Sequence, residues 1–243
     1  MFNTLFCFDI TILLFYLWHI QESIISLFKK DYREIQSNYK KSTKSIVREN
    51  IFKVILCITG VAIAFTDFTT YLKPMILLVL LMFHLNYFKF FTSIIDTSDR
   101  HIGMINIGLI ISCFYLDLGL YFIAINTLLV YFFTGFHKLK SKTWRSGEAL
   151  NLIMNTRTYG NHKFFAFLDS RKYLSIIFSW LIICFQILFP TAVLNLKMTM
   201  IFLVLGFFFH LFNLLIMRIY TFFLSFVMCY PSIFFLSNYI NSL

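Results

Sequence analysis

The sequence predicts an all-α protein, a polytopic transmembrane helical bundle of about eight helices. Three observations carry that expectation. Of 243 residues, 59% are hydrophobic and 13% charged, and the mean hydropathy is +0.78; a soluble domain carries about 45–50% and about 25%. The apolar residues fall into runs of ~17–25, the length that crosses a bilayer as helix. The basic residues, which give a net charge of +10, gather between those runs rather than within them.

In chain order, the spans are expected at 6–27, 52–71, 74–95, 102–116, 119–137, 173–192, 198–217 and 219–240. The first carries Asp9, His19, Gln21 and Glu22, so it is tilted or partly interfacial. Met1–Trp18 has neither a basic leader nor a small-residue cleavage site, and is therefore expected to stay as a helix. A turn at 67–73 leads into Pro74 and the third span. The fourth and fifth form one apolar stretch of 36 residues, interrupted only around Asp117 and Gly119. As a single helix it would be ~50 Å long, too long for one upright crossing. Two short helices or one long tilted helix both satisfy it, and the bundle then has eight or seven spans. Pro190 closes the sixth span near Asn195, and Pro231 lies inside the last, where a kink is tolerated if neighbours satisfy the freed backbone.

Charge distribution separates these topologies. Eight of the 21 Lys and Arg lie in Lys29–Lys53 and eight in Lys138–Lys172. With eight spans and an outside N-terminus, the loops 29–53, 92–101 and 138–172 and Arg218 share the cytoplasmic side. That leaves only Lys73 and Lys197 outside, 19 against 2. With seven spans the split becomes 11 against 10. The tendency of basic loops to stay cytoplasmic prefers eight. Juxtamembrane loops of this kind suit anionic headgroups, and no nucleic-acid recognition motif accompanies them. The polar stretches are each about 30 residues, too short for a core of their own. Residues 1–243 are thus expected to form a single integral membrane domain with the bilayer as partner and no separate soluble domain.

Chemistry-bearing residues are few. Cys7, Cys57, Cys113, Cys184 and Cys229 stand singly in apolar runs, without the pairing or spacing of metal ligands. No metal is expected, and no phosphate loop or nucleophile elbow is present. Ionisable and amide groups inside the membrane are costly and face the bundle interior. His84, Asn86 and Lys89 lie on the third span, and His210 and Asn213 share one face of the seventh. His84 and Asn86 read as groups that hydrogen-bond to neighbouring helices; for His210 the structural and the chemical roles weigh equally. Tyr121 and Tyr131 read as packing residues. Lys138 ends the fifth span just before a basic turn. A terminal lysine ordinarily snorkels to the headgroups. The alternative, a base, needs an amine that gives up its proton near neutral pH, through partial desolvation beside Lys140, His137 or Arg145.

One pattern goes further: Tyr131, Phe132, Gly135, Lys138, Leu139, then Trp144, Gly147 and Leu150. It resembles the core motif of the horizontally transferred transmembrane (HTTM) superfamily, which includes the vitamin K-dependent γ-glutamyl carboxylases and the bacterial SdpB proteins that help mature a secreted peptide toxin. A second likeness is His210 in a late helix before a Phe-rich closing one containing Pro231–Phe235. The resemblance covers residues 50–243 loosely and 131–150 tightly. It implies a membrane-embedded enzyme or maturation factor for a secreted or membrane peptide, in the bacterial cytoplasmic membrane, using a reduced quinone such as vitamin K. Lys138 would be the base, with His210 a second catalytic position. Gly135, Tyr131 and Trp144 would surround the cofactor ring. The departures also matter. Gln186 stands where many relatives have a glutamate, and the gap from Lys138 to Trp144 is more basic. A chain of 243 residues has no room for the lumenal domain of the carboxylases, so full γ-carboxylation is not expected of it alone, and a partner membrane subunit enters as an expectation. The carboxylases also work on the lumenal face, whereas the charge count puts Lys138 at the cytoplasmic end. Two other classes stay open: a non-enzymatic toxin-immunity or scaffold protein, and a small-solute transporter.

Overall fold

Length and apolarity alone make helices of this chain, and the computed structural model is helical, with no strand among the described residues. Those residues are 4–28, 43–64, 71–90, 97–156, 160–217 and 219–242. The basic stretch 29–42, residues 91–96, Arg157 and Arg218, used in the charge argument, lie outside them, as do residues 65–70 of the expected turn and the side chain of Lys89. The helices are α1 (Thr4–Phe28), α2 (Thr43–Ala64), α3 (Leu72–Phe90), α4 (Thr97–Phe114), α5 (Leu116–Lys140), α6 (Lys142–Arg145), α7 (Glu148–Met154), α8 (His162–Asp169), α9 (Lys172–Leu188), α10 (Leu196–Met217), α11 (Tyr220–Val227) and α12 (Tyr230–Ile240). A 3₁₀ turn, Phe189–Leu194, extends α9.

Five segments among the described residues are long and apolar enough to cross a membrane: Thr4–Phe28, Leu116–Lys140, Lys172–Leu194, Leu196–Met217 and Tyr220–Ile240. Many of their large side chains, such as Leu181, Phe208 and Leu215, are exposed, as expected where lipid rather than water is the solvent. Leu72–Asn86 is apolar but shorter. The 36-residue apolar stretch is two helices, not one, broken at Tyr115. The break is a tight hairpin: a side chain on Gly119 would run into Ser112 and the Gly108 carbonyl, and one on Gly108 into Ile123. The last span is interrupted at Met228–Cys229. Pro231, two residues on, cannot donate to the carbonyl four residues back and clashes with it.

The chain divides into two compact units, Met1–Ala124 with Met228–Phe235 and Ile125–Val227 with Leu236–Leu243. In the first, α1 packs on α2 and α3 on α4. In the second, the basic segment after Lys140 is not an extended loop but three short helices. Ser141 caps α6, and Asn161 caps α8, its Oδ1 accepting from Phe164 N at 3.1 Å. Their apolar sides bury Leu150, Met154 and Leu168 against Phe164, Leu174, Phe178 and Ile216. The 3₁₀ turn leaves carbonyls without helical partners, which apolar surroundings penalise. Thr199 donates to Ala192 O at 2.7 Å, and Asn241 and Ser237 donate to Val193 O.

Candidate functional site

On α5, Tyr131, Gly135 and Lys138 are spaced four and three residues apart and so share one helix face. That face looks onto α9. The reason is Gly135: a Cβ there would lie 2.8 Å from Gln186 Cβ and 2.9 Å from Ile187 Cγ1 and the Ile187 backbone N. Only a missing side chain lets the two helices approach this closely. Gln186 is thereby held beside the next residue along the face. Lys138 Nζ donates to Gln186 Oε1 at 3.0 Å and stands 4.9 Å from the centroid of the Trp144 ring. Among the described residues no carboxylate lies within 4.0 Å of this ammonium. An amide and an aromatic face are its neighbours, not a counter-ion. Lys140 turns elsewhere, 4.4 Å over the Phe136 ring, and His137 and Arg145 are exposed.

Two turns back along α5, ~10 Å by helix rise, a second polar contact is enclosed by rings. Tyr131 Oη and His210 Nε2 share a hydrogen bond of 2.6 Å, and the two residues are 2% and 1% exposed. Phe189 stacks on Tyr131 with centroids 3.8 Å apart, and Phe226 stacks on His210 at 4.3 Å. A proton can pass between Oη and Nε2 in this pair, with little water to compete.

The rest of the motif is anchored to α9 as well. Trp144 is presented by α6, whose Ser141 cap accepts from Trp144 N at 3.5 Å. Gly147 begins α7 with φ 77°, and its carbonyl accepts from Ser175 Oγ at 2.6 Å. Leu150 lies in the apolar cluster with Leu174 and Phe178 packed against it. The structure thus gathers the five sequence-derived candidates into two contacts, Lys138 with Trp144 and Tyr131 with His210; Gly135 sits between them against α9. The other polar groups behave differently. His84 Nε2 meets the Asp99 carbonyl at 2.8 Å, a bond between neighbouring helices, and Asn86 is exposed.

Sequence reading passed over Ser175, Phe189 and Phe226. A signal for the first was present. Ser175, Ser179 and Gln186 form a buried stripe on an otherwise apolar helix, at spacings that share one face. Nothing singles out Phe189 and Phe226 among 33 phenylalanines. Comparison of the chain with protein-family models, with curated proteins and with solved structures finds no match in any of the three.

Proposed function

We propose that this chain is an integral membrane protein of the horizontally transferred transmembrane type that acts on a secreted or membrane-bound peptide, with Lys138 as its working amine. It crosses a bacterial cytoplasmic membrane eight times and works beside a partner membrane subunit. The observation that carries this reading is the setting of Lys138. Its ammonium faces an amide and an indole inside the helical unit, with no carboxylate partner among the described residues. An anchoring lysine reaches instead for headgroups.

The residues at hand suit a quinol. The Trp144 face supplies stacking, Lys138 and Gln186 supply polar contacts at a ring oxygen, and the aromatic enclosure of Tyr131 continues along the same helix face. The side of Gly135 is already filled by α9, so its part is to bring Gln186 to Lys138. Bound there, a reduced quinone would supply the oxidisable ring. As the neutral amine, Lys138 Nζ would be placed to take up the proton of such a hydroxyl, with Gln186 Oε1 orienting it.

A non-enzymatic immunity or scaffold role is the second reading. It is favoured by Gly135 and Gly147, whose closest neighbours include α9 backbone atoms, as expected of a motif that builds a helix junction. Two substitutions separate the readings. Membrane-inserted Lys138→Ala abolishes maturation of the secreted peptide if Lys138 is a base, as does Lys138→Arg, whose guanidinium stays charged. Mature peptide produced by Lys138→Ala refutes the enzymatic reading. Activity retained only by Lys138→Arg identifies an anchor.

A further inference from the structure

The segment that joins α5 to α9 carries charge for which the Lys138 site has no use. Lys140, Lys142, Arg145, Lys163, Arg171 and Lys172 are all exposed, against two exposed acids, Glu148 and Asp169. Among the described residues none of the six cations has an ion-pair partner within 4.0 Å. Exposed cations by themselves mark only a solvated face. Here exposed apolar side chains are set between them. On α8, Phe164, Phe165 and Leu168 belong to the apolar cluster, while Lys163 and Phe167, one turn apart, are exposed. Arg171, a further four residues on, lies over the Phe167 ring at 4.9 Å. Tyr173, next to Lys172, and Leu152 on α7 are exposed as well. Water penalises these apolar surfaces. A lipid interface favours the combination, because rings sit at the acyl boundary while long basic side chains reach the phosphates.

The backbone fixes the depth. Lys172 opens a membrane-crossing segment, Lys172–Leu194, and Ser175 lies three residues inside it. Ser175 Oγ donates to Gly147 O at 2.6 Å, so α7 begins ~4.5 Å inward of the start of α9 by helix rise. The headgroup layer on each side of the hydrocarbon is about 5–7 Å thick. Leu150, Met154 and Leu168 pack further along, with Leu174 and Phe178. The elbow formed by α6, α7 and α8 is therefore sunk among headgroups rather than raised into water.

Charge selects the occupant. Six cations against two carboxylates leave an excess that zwitterionic headgroups cannot balance and anionic ones can. We propose that the outer side of the α6–α8 elbow binds anionic phospholipid, whose phosphates meet Lys163, Arg171 and Lys172 around the Phe167 ring. Lys142 and Arg145 on α6 add to the attraction. This surface depends on the bilayer setting of the helices and not on the chemistry of Lys138.

The test uses the full chain in nanodiscs of phosphatidylcholine and phosphatidylglycerol in equal parts. Native mass spectrometry should find phosphatidylglycerol retained in preference to phosphatidylcholine. Each juxtamembrane cation is worth about fivefold, so Lys163→Gln/Arg171→Gln/Lys172→Gln should lower that preference at least about tenfold. Lys197→Gln, exposed beyond the far end of α9, should leave it unchanged. If the triple variant does not fold, Lys163→Gln alone should lower the preference about fivefold. A nitroxide on Phe167→Cys, with the native cysteines replaced, should be relaxed more by oxygen, which enters acyl chains, than by a water-soluble nickel chelate. Equal retention of the two lipids, a preference kept by the triple variant or lost equally in Lys197→Gln, or a nitroxide relaxed mainly by nickel overturns the proposal. So does inorganic phosphate that reproduces, in phosphatidylcholine nanodiscs, the Tm gained with phosphatidylglycerol, the mark of a free-anion site. Polyglutamate that binds the phosphatidylglycerol nanodiscs through these three cations overturns it as well, since cations held by lipid are closed to an acidic peptide.

Discussion

Gly135→Ala tests whether close approach of α5 and α9 is what assembles the site. The new Cβ would stand 2.9 Å from the Ile187 backbone N, and ordinary contact begins at 3.4 Å. The helices must therefore part by about 0.5 Å. Lys138 Nζ to Gln186 Oε1, now 3.0 Å, moves to the 3.5 Å limit of a hydrogen bond. Overpacking of this size costs about 1–3 kcal/mol. Weakening a polar contact within a membrane bundle adds about 0.6 kcal/mol. The expected loss is about 1.6–3.6 kcal/mol in equilibrium unfolding from mixed micelles. Trimming the neighbour does not help, because a backbone atom is in the way: Gly135→Ala/Ile187→Ala stays at least as unstable as Gly135→Ala. A Gly135→Ala protein within about 0.5 kcal/mol of the parent, or full rescue by Ile187→Ala, refutes the reasoning; single sites without such a clash usually fall inside that margin.

Other outcomes follow from the same unit. Tyr131→Phe keeps the stack on Phe189 but removes the 2.6 Å bond to His210; it should cost about 1–3 kcal/mol. A cycle with His210→Phe should show coupling of about 0.6–1.7 kcal/mol, measured by unfolding of the four proteins. Gly147→Ala combines a left-handed φ of 77° with a Cβ 2.7 Å from Ile176 N, so loss of more than about 2 kcal/mol, read as a lowered Tm, is expected. Lys142 is exposed at the start of α6 while Ser141 is engaged as its cap. Lys142→Cys, with the native cysteines replaced, should therefore react with a membrane-impermeant maleimide from the cytoplasmic side only. Labelling of intact cells from outside reverses the orientation.

Composition by itself determined that this chain is helical and apolar enough for a bilayer, because the hydrocarbon core dictates both the length of a segment and the need to bond its backbone internally. The Lys138 motif was legible for a similar reason: a cation, a glycine and a tryptophan are conspicuous in an apolar chain. A kink was also readable where proline acts on its own neighbours, as at Pro231. Apolarity could not say whether 102–137 was one helix or two, since it is the same in both; only the charge count preferred two. Contacts across α4 and α5, at Gly108 and Gly119, decided it. The same holds for Lys138 and Gln186, 48 positions apart, and for Tyr131 and His210, 79 apart. A side chain's partner depends on which helix face the packing turns toward it, and that is a property of the assembled bundle rather than of any local run of residues.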